Sequence, residues 1–304
     1  MSDEILLRAL DGSNPLAFLA ALGTLRLLHL SQPAAGVRMC WERSEGFWRP
    51  KLQGLSAEED ALCDMLMNAP WAPVEMFERI GRNLTVSCGD FAPFVEAAHG
   101  LATRQDRRAA DFAAAFGSEI CEARAKGRIQ HTDLCFITGS GHQDFLGTIA
   151  ALAERVTPAH LRDALFGEWR VERGFSMRWD PTDASEYALR WDDPSSNGAW
   201  AVWGANRLAA EALPYFPAIP VERGLRTTGF RRRNRRTDFT WPIWKGVADF
   251  DTVRSLVSIA ELQQDAPSRE ALRAMGIQEL YRAERVRIGQ GANFKVSFRP
   301  ARAV

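Results

Sequence analysis

The sequence predicts an α+β protein in which an antiparallel sheet of hairpins packs with a buried N-terminal helix and a helical middle section. Three observations carry this prediction. An apolar run over residues 16–30 follows a helix-start signal, residues 56–126 have helical periodicity, and hairpin patterns occur near both ends of the chain. The chain has 304 residues, 46% apolar and 25% charged, which is enough for a substantial core and excludes a disordered or coiled-coil protein.

The N-terminal elements follow from local signals. Residues 4–10 predict a short strand, after which Asn14 and Pro15 are typical of a helix N-cap and first turn. The segment that follows is apolar on nearly all sides, which predicts a helix inside the core, and Gly23 would allow a neighbour to pack closely against it. Alternating patterns over 37–41 and 47–52 predict a hairpin.

The middle of the chain is predicted to be mainly helical. A capping-box-like Ser56-Ala-Glu-Glu59 opens the section over 56–126, and a second helical pattern covers 103–125. A strand over 133–137 and three further helices are predicted to follow, the helices over 143–155, 157–165 and 203–213.

The C-terminal part contains two hairpin patterns. The first joins residues 224–230 to residues 238–244 through a basic loop, a helix over 250–262 follows, and the second joins 283–288 to 294–299. We therefore expect a body over 1–221, with the helical insertion at about 56–126, and a basic lobe over 222–304 packed into the same sheet. Basic and acidic residues number 38 each in the chain, but 17 basic and 9 acidic residues lie in that lobe.

Cysteine usage and the N-terminus predict a reduced, cytoplasmic protein. The five cysteines are widely spaced and form no Cys-x-x-Cys pair, so neither a disulfide framework nor a zinc site is predicted. The N-terminus has acidic residues where a secretory signal needs basic ones, and the apolar stretch over 16–25 is too short to span a membrane. We expect no metal, no cofactor and no membrane partner.

An arginine-rich run predicts contact with a polyanion, for which nucleic acid is the first candidate. The run contains no acidic residue, and planar guanidinium groups match phosphate oxygens bidentately. Phe230, Phe239 and two tryptophans lie close by, so bases could stack beside the phosphate contacts, or the tryptophans could support the hairpin. The alternatives are a solvated hairpin tip, or an acidic protein surface that includes the acidic half of this chain. The predicted nucleic-acid-binding residues are Arg223, Arg226, Arg231, Arg232, Arg233, Arg235, Arg236, Trp241 and Trp244.

A glycine-rich turn is a second, weaker candidate. Gly139, Ser140, Gly141 and His142 lie between a predicted strand and a predicted helix, where free backbone amides could contact a phosphate. The spacing satisfies neither the dinucleotide fingerprint nor the nucleotide-hydrolysing phosphate loop, so an ordinary tight turn is the preferred interpretation.

A group of acidic residues is the third candidate. Carboxylates in this number could bind Mg²⁺ in a nuclease, but the two Asp-Pro steps favour structural turns, with Trp179 and Trp191 docking the loop onto the body. The residues concerned are Asp180, Asp183, Glu186, Asp192 and Asp193.

The segment Leu10-Asp-Gly-Ser-Asn-Pro-Leu-Ala-Phe-Leu-Ala-Ala-Leu-Gly-Thr-Leu-Arg-Leu-Leu28 resembles the start of several proteins encoded with type I-G (formerly I-U) CRISPR-Cas systems. Further short blocks resemble the same group. These blocks are Arg178-Trp-Asp-Pro181, Tyr187-Ala-Leu-Arg190 with Asp193-Pro194, Trp203-Gly-Ala-Asn-Arg-Leu-Ala209, Thr227-Thr-Gly-Phe230 and Trp241-Pro-Ile-Trp244. The group includes large-subunit-like proteins and an extension family associated with the helicase-nuclease, and the chain resembles a compact relative or an accessory subunit.

The resemblance implies a part in RNA-guided antiviral interference. In such complexes base pairing reads the sequence while proteins hold backbone and shape. We therefore expect a non-catalytic subunit that binds guide RNA or target DNA together with other CRISPR-associated subunits. The alternatives are a protein-protein adaptor that docks the helicase-nuclease, with Trp179 and Trp191 as an anchor, and a metal-dependent nuclease. The resemblance brings no catalytic residue onto this chain, so an enzyme is the less favoured interpretation.

Overall fold

The computed structural model describes residues 3–123, 127–136, 144–182, 200–290 and 293–304. The helices within these ranges are α1 (Pro15–Ser31), α2 (Glu59–Met67), α3 (Val74–Phe77), α4 (Cys88–Gly100), α5 (Arg108–Phe116), α6 (Phe145–Arg155), α7 (Pro158–Leu165), α8 (Trp203–Ala210), α9 (Phe250–Val257) and α10 (Arg269–Ala274). The strands are β1 (Glu4–Leu6), β2 (Arg38–Ser44), β3 (Phe47–Gln53), β4 (Gly117–Glu122), β5 (Ile129–His131), β6 (Glu172–Arg173), β7 (Trp200–Ala201), β8 (Ala218–Val221), β9 (Gly224–Thr227), β10 (Phe230–Arg233), β11 (Arg236–Trp244), β12 (Ile277–Gln290), β13 (Asn293–Phe298) and β14 (Arg302–Ala303). The fold class is α+β, with antiparallel pairing in its sheets, as the sequence predicts.

Helix α1 is the central element of the core. Asn14 caps it, because its side-chain oxygen accepts hydrogen bonds from the backbone N–H groups of Leu16 and Ala17. The helix is buried on all sides through Leu28 and packs against α8. A Cβ at Gly23 would lie 1.8 Å from the carbonyl oxygen of Leu208, so only glycine allows this approach of the two backbones.

The N-terminal strands form a sheet of their own. Strand β3 lies between β1 and β2, and both pairings are antiparallel. The β2–β3 hairpin turns at Glu45-Gly46, both with positive φ, as in the two-residue turns that follow the twist of a hairpin. The predicted hairpin is therefore present, while the predicted first strand is shortened to Glu4–Leu6.

A second sheet is built from the C-terminal strands. Its order is β10-β11-β12-β13, and β14 adds to β12 through the pair Arg282 and Arg302. One face carries Phe239, Trp241 and Phe298 into the main hydrophobic core. The other face is polar near the β10–β11 turn and carries Leu280 into a second, smaller apolar cluster with Leu262 and Leu272. This division of faces follows the period-2 alternation of strand side chains.

The two predicted domains share one core. The main cluster of buried apolar side chains runs from Ile5 to Phe298, and the indole N–H of Trp241 donates to the carbonyl oxygen of Gly12 at 2.8 Å. The C-terminal strands nevertheless do not join the N-terminal sheet, so the expectation of a common sheet is wrong; an isolated bridge between Met39 and Ala248 connects the two regions. The hairpin β8–β9 also crosses the expected boundary at 221/222.

Two predictions for the middle section need correction. The helix predicted over 103–125 is α5, which ends at Phe116, because Gly117 adopts an extended backbone and opens β4. A Cβ at Gly117 would lie 2.6 Å from the carbonyl oxygen of Gln130, so glycine lets β4 lie close to β5. The strand predicted over 133–137 is also misplaced: the strand is β5, and Asp133 and Leu134 form a turn after it.

No helix in the described ranges combines the length and the apolar character that a membrane span requires.

Candidate nucleic-acid interface

The seven arginines of the predicted run lie on two successive hairpins rather than on one loop. Arg223 is in the turn between β8 and β9, and Arg226 lies on β9. Of the other five, Arg235 lies in the turn Asn234-Arg235 between β10 and β11, and the remaining four lie on the two strands beside it. Both turn residues have positive φ, 47° and 66°, so the basic tip is a tight hairpin turn and not an extended loop.

Arg231 and Arg233 share the carboxylate of Asp265 at the polar face of the second sheet. The Nε and Nη2 groups of Arg231 donate to Asp238 at 3.1 and 3.0 Å, and its Nη1 donates to Asp265 at 2.6 Å. Arg233 forms an ion pair with the same Asp265. Asp238 lies opposite Arg231 in the β10–β11 register, so strand pairing fixes the first of these contacts.

Arg232 points to the other side of β10 and joins the hairpin to the turn after β5. Its Nη2 donates to Asp133 Oδ1 at 2.6 Å, and the backbone N–H of Asp133 donates to Thr227 Oγ1. Arg285 lies beside this pair, and its Nη2 donates to the carbonyl oxygen of Cys135. Burial lowers the pKa of Arg285, and the nearby Asp133 opposes that shift. The contacts of Arg232 are therefore internal, although about half of its side chain is exposed.

The polar face of the second sheet has more arginines than carboxylates. Arg236 and Arg299 both contact Glu284, at 3.3 and 3.7 Å. Six arginines and three carboxylates are thus grouped on this surface, a surplus of three positive charges among the residues named. We call this group the arginine face: Arg231, Arg233, Arg236, Arg282, Arg299 and Arg302, with Asp238, Asp265 and Glu284.

A cavity of about 210 Å³ opens within the arginine face. It lies where β14 pairs with β12, so side chains from β11, β12, β14 and the segment before β14 converge on it. Its lining residues are Arg236, Asp238, Arg282, Glu284, Arg299, Pro300 and Arg302.

Arg282 is the buried member of this cavity lining. Its Nε donates to Thr240 Oγ1 at 3.0 Å, and its Nη2 donates to the carbonyl oxygens of Leu262 and Gln264 at 3.1 and 2.8 Å. Burial, followed by the positive charge of Arg231, lowers the pKa of Arg282 to about 10. The guanidinium is therefore fixed by neutral groups and contacts no carboxylate within the described ranges.

Three arginines of the run make no ion pair with the described part of the chain. They are Arg223, Arg226 and Arg235, and all three are exposed at hairpin turns or on the outer side of a strand. Such side chains can reach a phosphate without first breaking an internal contact.

The expected stacking role of the aromatic residues is wrong. Trp241 and Trp244 are at most 2% exposed, and the Nε1 group of Trp244 donates to the carbonyl oxygen of Met39 at 3.0 Å. Phe230 and Phe239 are buried as well and stack on each other with ring centroids 4.9 Å apart. These rings support the hairpin from the core side, and a nucleic-acid base cannot reach them.

Of the acidic candidates, Asp180 is described, and it is a structural residue. It is buried, and its Oδ1 accepts hydrogen bonds from the Asn14 side chain at 3.1 Å and from the backbone N–H of Thr182 at 3.0 Å. The described residues contain no group of three histidine, cysteine or acidic side chains placed to hold a metal ion. Asp183, Glu186, Asp192 and Asp193 lie outside the described residues.

Trp179 is buried in the chain's own core, where its Nε1 donates to the carbonyl oxygen of Leu134 at 3.0 Å. This confirms that it docks its loop onto the body, and it rules out the expected use of Trp179 as an anchor for another protein. Trp191 and the candidate phosphate-contact residues Gly139, Ser140, Gly141 and His142 lie outside the described residues.

Sequence reasoning missed three members of the arginine face. Arg282, Arg299 and Arg302 lie 46 or more positions after Arg236, so no local run of arginines includes them. The available signal was the alternation of charged and apolar residues in the last hairpin, which predicts a charged sheet face.

No protein-family model matches the sequence, and neither the curated proteins nor the solved structures include a significantly similar one. The resemblance to CRISPR-associated proteins therefore stays a prediction from the sequence.

Proposed function

We propose that the chain is a non-catalytic nucleic-acid-binding protein that holds a phosphate backbone on its arginine face and on the free arginines of its two basic hairpins. The observation that carries this proposal is the surplus of guanidinium groups over carboxylates on the arginine face. Arginine forks bind phosphate oxygens with charge-assisted, bidentate hydrogen bonds, so a polyanion is the natural partner for this surface.

The cellular context in this proposal is a type I CRISPR-Cas interference complex in the cytoplasm. It rests on the resemblance of the segment 10–28 and the shorter blocks to type I-G associated proteins. In such complexes base pairing supplies sequence specificity, which leaves proteins to hold the backbone. A surface rich in arginine suits that division of labour, because it offers phosphate contacts while the described rings beside the basic hairpin, Phe230, Phe239, Trp241 and Trp244, are buried.

The test is a binding titration with labelled single-stranded RNA, single-stranded DNA and duplex DNA at about 50 and about 200 mM salt. The informative variant combines Arg223→Gln, Arg226→Gln and Arg235→Gln, since these residues make no ion pair with any residue that the structure describes. We expect weaker binding and a salt slope reduced by about one unit for each lost phosphate contact.

The matched control combines Arg38→Gln, Arg79→Gln and Arg104→Gln. These three are exposed arginines of the N-terminal part, without an ion pair to the described residues, and they change the net charge by the same amount. The control should bind like the unaltered protein. No binding at low salt, or an equal loss in both triple variants, would contradict the proposal.

A protein-protein adaptor is the second candidate, and two exposed isoleucines on strands that pack together favour it. Strand β4 packs on β8 through Cys121 and Ala218. Each of these residues has an exposed isoleucine as its sequence neighbour: Ile120 is 73% exposed and Ile219 is 45% exposed. Ile219 pairs with Arg226 across β8–β9, so apolar and basic side chains share the outer face. Such a mixture suits an acidic protein partner.

The adaptor hypothesis is tested by capturing the helicase-nuclease subunit with the purified chain after nuclease digestion. Ile219→Ser should abolish capture, while Val247→Ser, which changes an exposed valine remote in sequence from Ile219, should leave capture intact. Capture that disappears on nuclease digestion would instead assign the association to nucleic acid.

A further inference from the structure

The cavity of the arginine face has a charge surplus of its own. Asp238 is engaged by Arg231 and Glu284 is engaged by Arg236 and Arg299. The two carboxylates of the lining are thus already compensated. Arg282 and Arg302 form no ion pair with a carboxylate of the described chain. The charge of Asp238 acts on Arg282, but Asp238 is bonded to Arg231, and the cavity lining holds four arginines against two carboxylates.

These two arginines come from facing positions of adjacent strands. Arg282 of β12 pairs with Arg302 of β14 in the antiparallel register, which places their Cβ atoms on the same side of the sheet. Like charges opposite each other in a sheet are destabilising, and the backbone pairing holds them there. An anion bound between them would remove this repulsion.

The side chain of Arg282 is also held in one orientation before any anion binds. Three hydrogen bonds fix its Nε and Nη2, and no hydrogen bond to a described residue uses its Nη1. An anchored guanidinium loses little side-chain freedom when it binds a ligand, so its remaining N–H groups are prepared to bind an anion. Arg302 is exposed, and its side chain can close on the same anion from the solvent side.

We propose that this cavity binds a terminal phosphate monoester of a nucleic-acid strand, and this inference rests on the proposed function. A phosphate monoester carries a charge of about −1.5 to −2 at neutral pH and three acceptor oxygens, which matches two uncompensated arginines. An internal phosphodiester carries a single charge and has two ester substituents, both of which must leave the cavity. The volume of about 210 Å³ is below the range of about 300–1,000 Å³ typical of drug-sized ligands, so it suits a small anionic group and not a whole nucleotide.

The experiment compares single strands of one sequence that end in a 5′-phosphate, a 3′-phosphate or only hydroxyl groups, each titrated against the full chain. We expect one of the phosphorylated strands to bind about tenfold more tightly than the hydroxyl strand, which corresponds to the net contribution of about one charge-assisted hydrogen bond. In Arg302→Gln this ratio should fall to one, because the phosphorylated strand loses its preference in addition to the weaker backbone binding that both strands share.

Arg235→Gln is the matched control, because it removes an exposed arginine of the same sheet at the hairpin tip, away from the cavity lining. It should weaken all strands equally and preserve the ratio between them. Unfolding curves should show neither variant to be less stable than the unaltered protein, because neither side chain makes an ion pair with a described residue and Arg302→Gln also removes the repulsion from Arg282. An effect on the ratio then does not reflect misfolding.

The possible failures are distinguishable. Equal binding of phosphorylated and hydroxyl strands, unchanged by Arg302→Gln, overturns the cavity proposal and leaves the proposed function standing. Absence of binding by every strand at low salt overturns both. If inorganic phosphate raises the melting temperature of the unaltered protein but not of Arg302→Gln, while the strands show no preference for a phosphate end, the site belongs to free phosphate and the strand-end proposal is wrong.

Discussion

Glu211 is a buried carboxylate shared by two arginines. Its Oε2 accepts a hydrogen bond from Arg26 and its Oε1 accepts from Arg207, each at 2.8 Å, and Oε1 also accepts the backbone N–H of Ala72. Arg207 lies over the Trp71 ring at 4.1 Å. Removing one partner of a buried ion pair leaves an uncompensated charge, which costs more than the intact pair contributes.

Glu211→Gln should therefore lower the free energy of unfolding by about 3–5 kcal/mol, because both arginines stay buried without their counter-charge. Urea denaturation measures this loss. The control is Glu59→Gln, which breaks partly exposed pairs with Arg8 and Arg162 and should cost at most about 1 kcal/mol. Similar losses in the two variants would show that the buried cluster contributes no more than a surface pair.

Acid titration isolates a second residue-level interaction. The side-chain hydrogen bond from Arg108, opposed by partial burial, lowers the pKa of Asp106 to about 2 from its usual 3.8. A lowered folded-state pKa stabilises the fold above the unfolded-state pKa, and this contribution is lost as the pH falls through the folded-state value. We expect the difference in unfolding free energy between the unaltered protein and Asp106→Asn to be constant above about pH 5 and to disappear near pH 2, with a size below about 1 kcal/mol because the carboxylate is half exposed. A difference that does not change with pH would contradict this assignment.

At the scale of elements, the turn between β10 and β11 carries an arginine where glycine is favoured. Arg235 has a φ of 66°, in the left-handed region that costs a residue with a Cβ about 1 kcal/mol. Arg235→Gly should raise the free energy of unfolding by about 0.5–1 kcal/mol and weaken nucleic-acid binding, because the conformational relief comes with the loss of a phosphate contact. Thermal unfolding and the binding titration measure the two effects.

Glu45→Gly is the matched control for this turn. Glu45 has a φ of 52° in the β2–β3 hairpin, so glycine should stabilise the protein there by a similar amount without changing its affinity for nucleic acid. If Arg235→Gly binds as tightly as Glu45→Gly, the tip arginine has no part in binding.

The contact between α1 and α8 gives another element-scale prediction. Gly23→Ala should lower the free energy of unfolding by at least about 1–3 kcal/mol, because the added methyl group meets the backbone of Leu208 and the helices must separate. Gly100→Ala is the control, since a methyl group at the end of α4 meets no atom within 4 Å and alanine favours helix. In chemical denaturation, Gly23→Ala should have a lower free energy of unfolding than the unaltered protein, and Gly100→Ala should have an equal or higher one.

The elements that sequence predicts well are those with local signals. Asn14 and Pro15 mark the start of α1 correctly, and the alternation around Glu45-Gly46 gives the first hairpin. Strand β4 was hidden because it follows an alanine-rich helix directly, and its extended form depends on pairing with β5 across a non-local contact. Propensity cannot predict such a tertiary override.

The candidate site was predictable only in part, for a similar reason. The run of arginines is visible in sequence, but their neutralisation by Asp133, Asp265 and Glu284 depends on residues 32 to 99 positions away. The sequence also shows that aromatic residues lie close to these arginines. Their burial depends on which side of each strand faces the core, and that is decided by the assembled sheet. Local composition therefore identified the charge, and tertiary structure decided which charges are free.

At the scale of the whole molecule, charge and core are distributed differently. The segment 222–304 carries a net charge of +8 and the rest of the chain carries −8, while the buried apolar cluster passes through both parts without a break. Under the proposed function, the charge asymmetry would direct a polyanion to the C-terminal sheet, and the continuous core ties that sheet to the acidic body. The fold is therefore a property of the intact chain, even though the proposed binding residues lie in its last third.

A continuous core makes a definite prediction about fragments. Neither 1–221 nor 222–304 should unfold cooperatively alone, because the break divides the β8–β9 hairpin and separates the Trp241 and Trp244 indoles from their acceptors at Gly12 and Met39. Each indole left unsatisfied costs about 1–3 kcal/mol, and the exposed apolar faces add to that loss. Near-ultraviolet circular dichroism and thermal unfolding of each fragment, and of an equimolar mixture, measure the outcome. Cooperative unfolding restored only by mixing would demonstrate one interdependent fold, whereas a cooperative transition in 222–304 alone would establish an independent basic domain and allow the arginine face to be studied without the body.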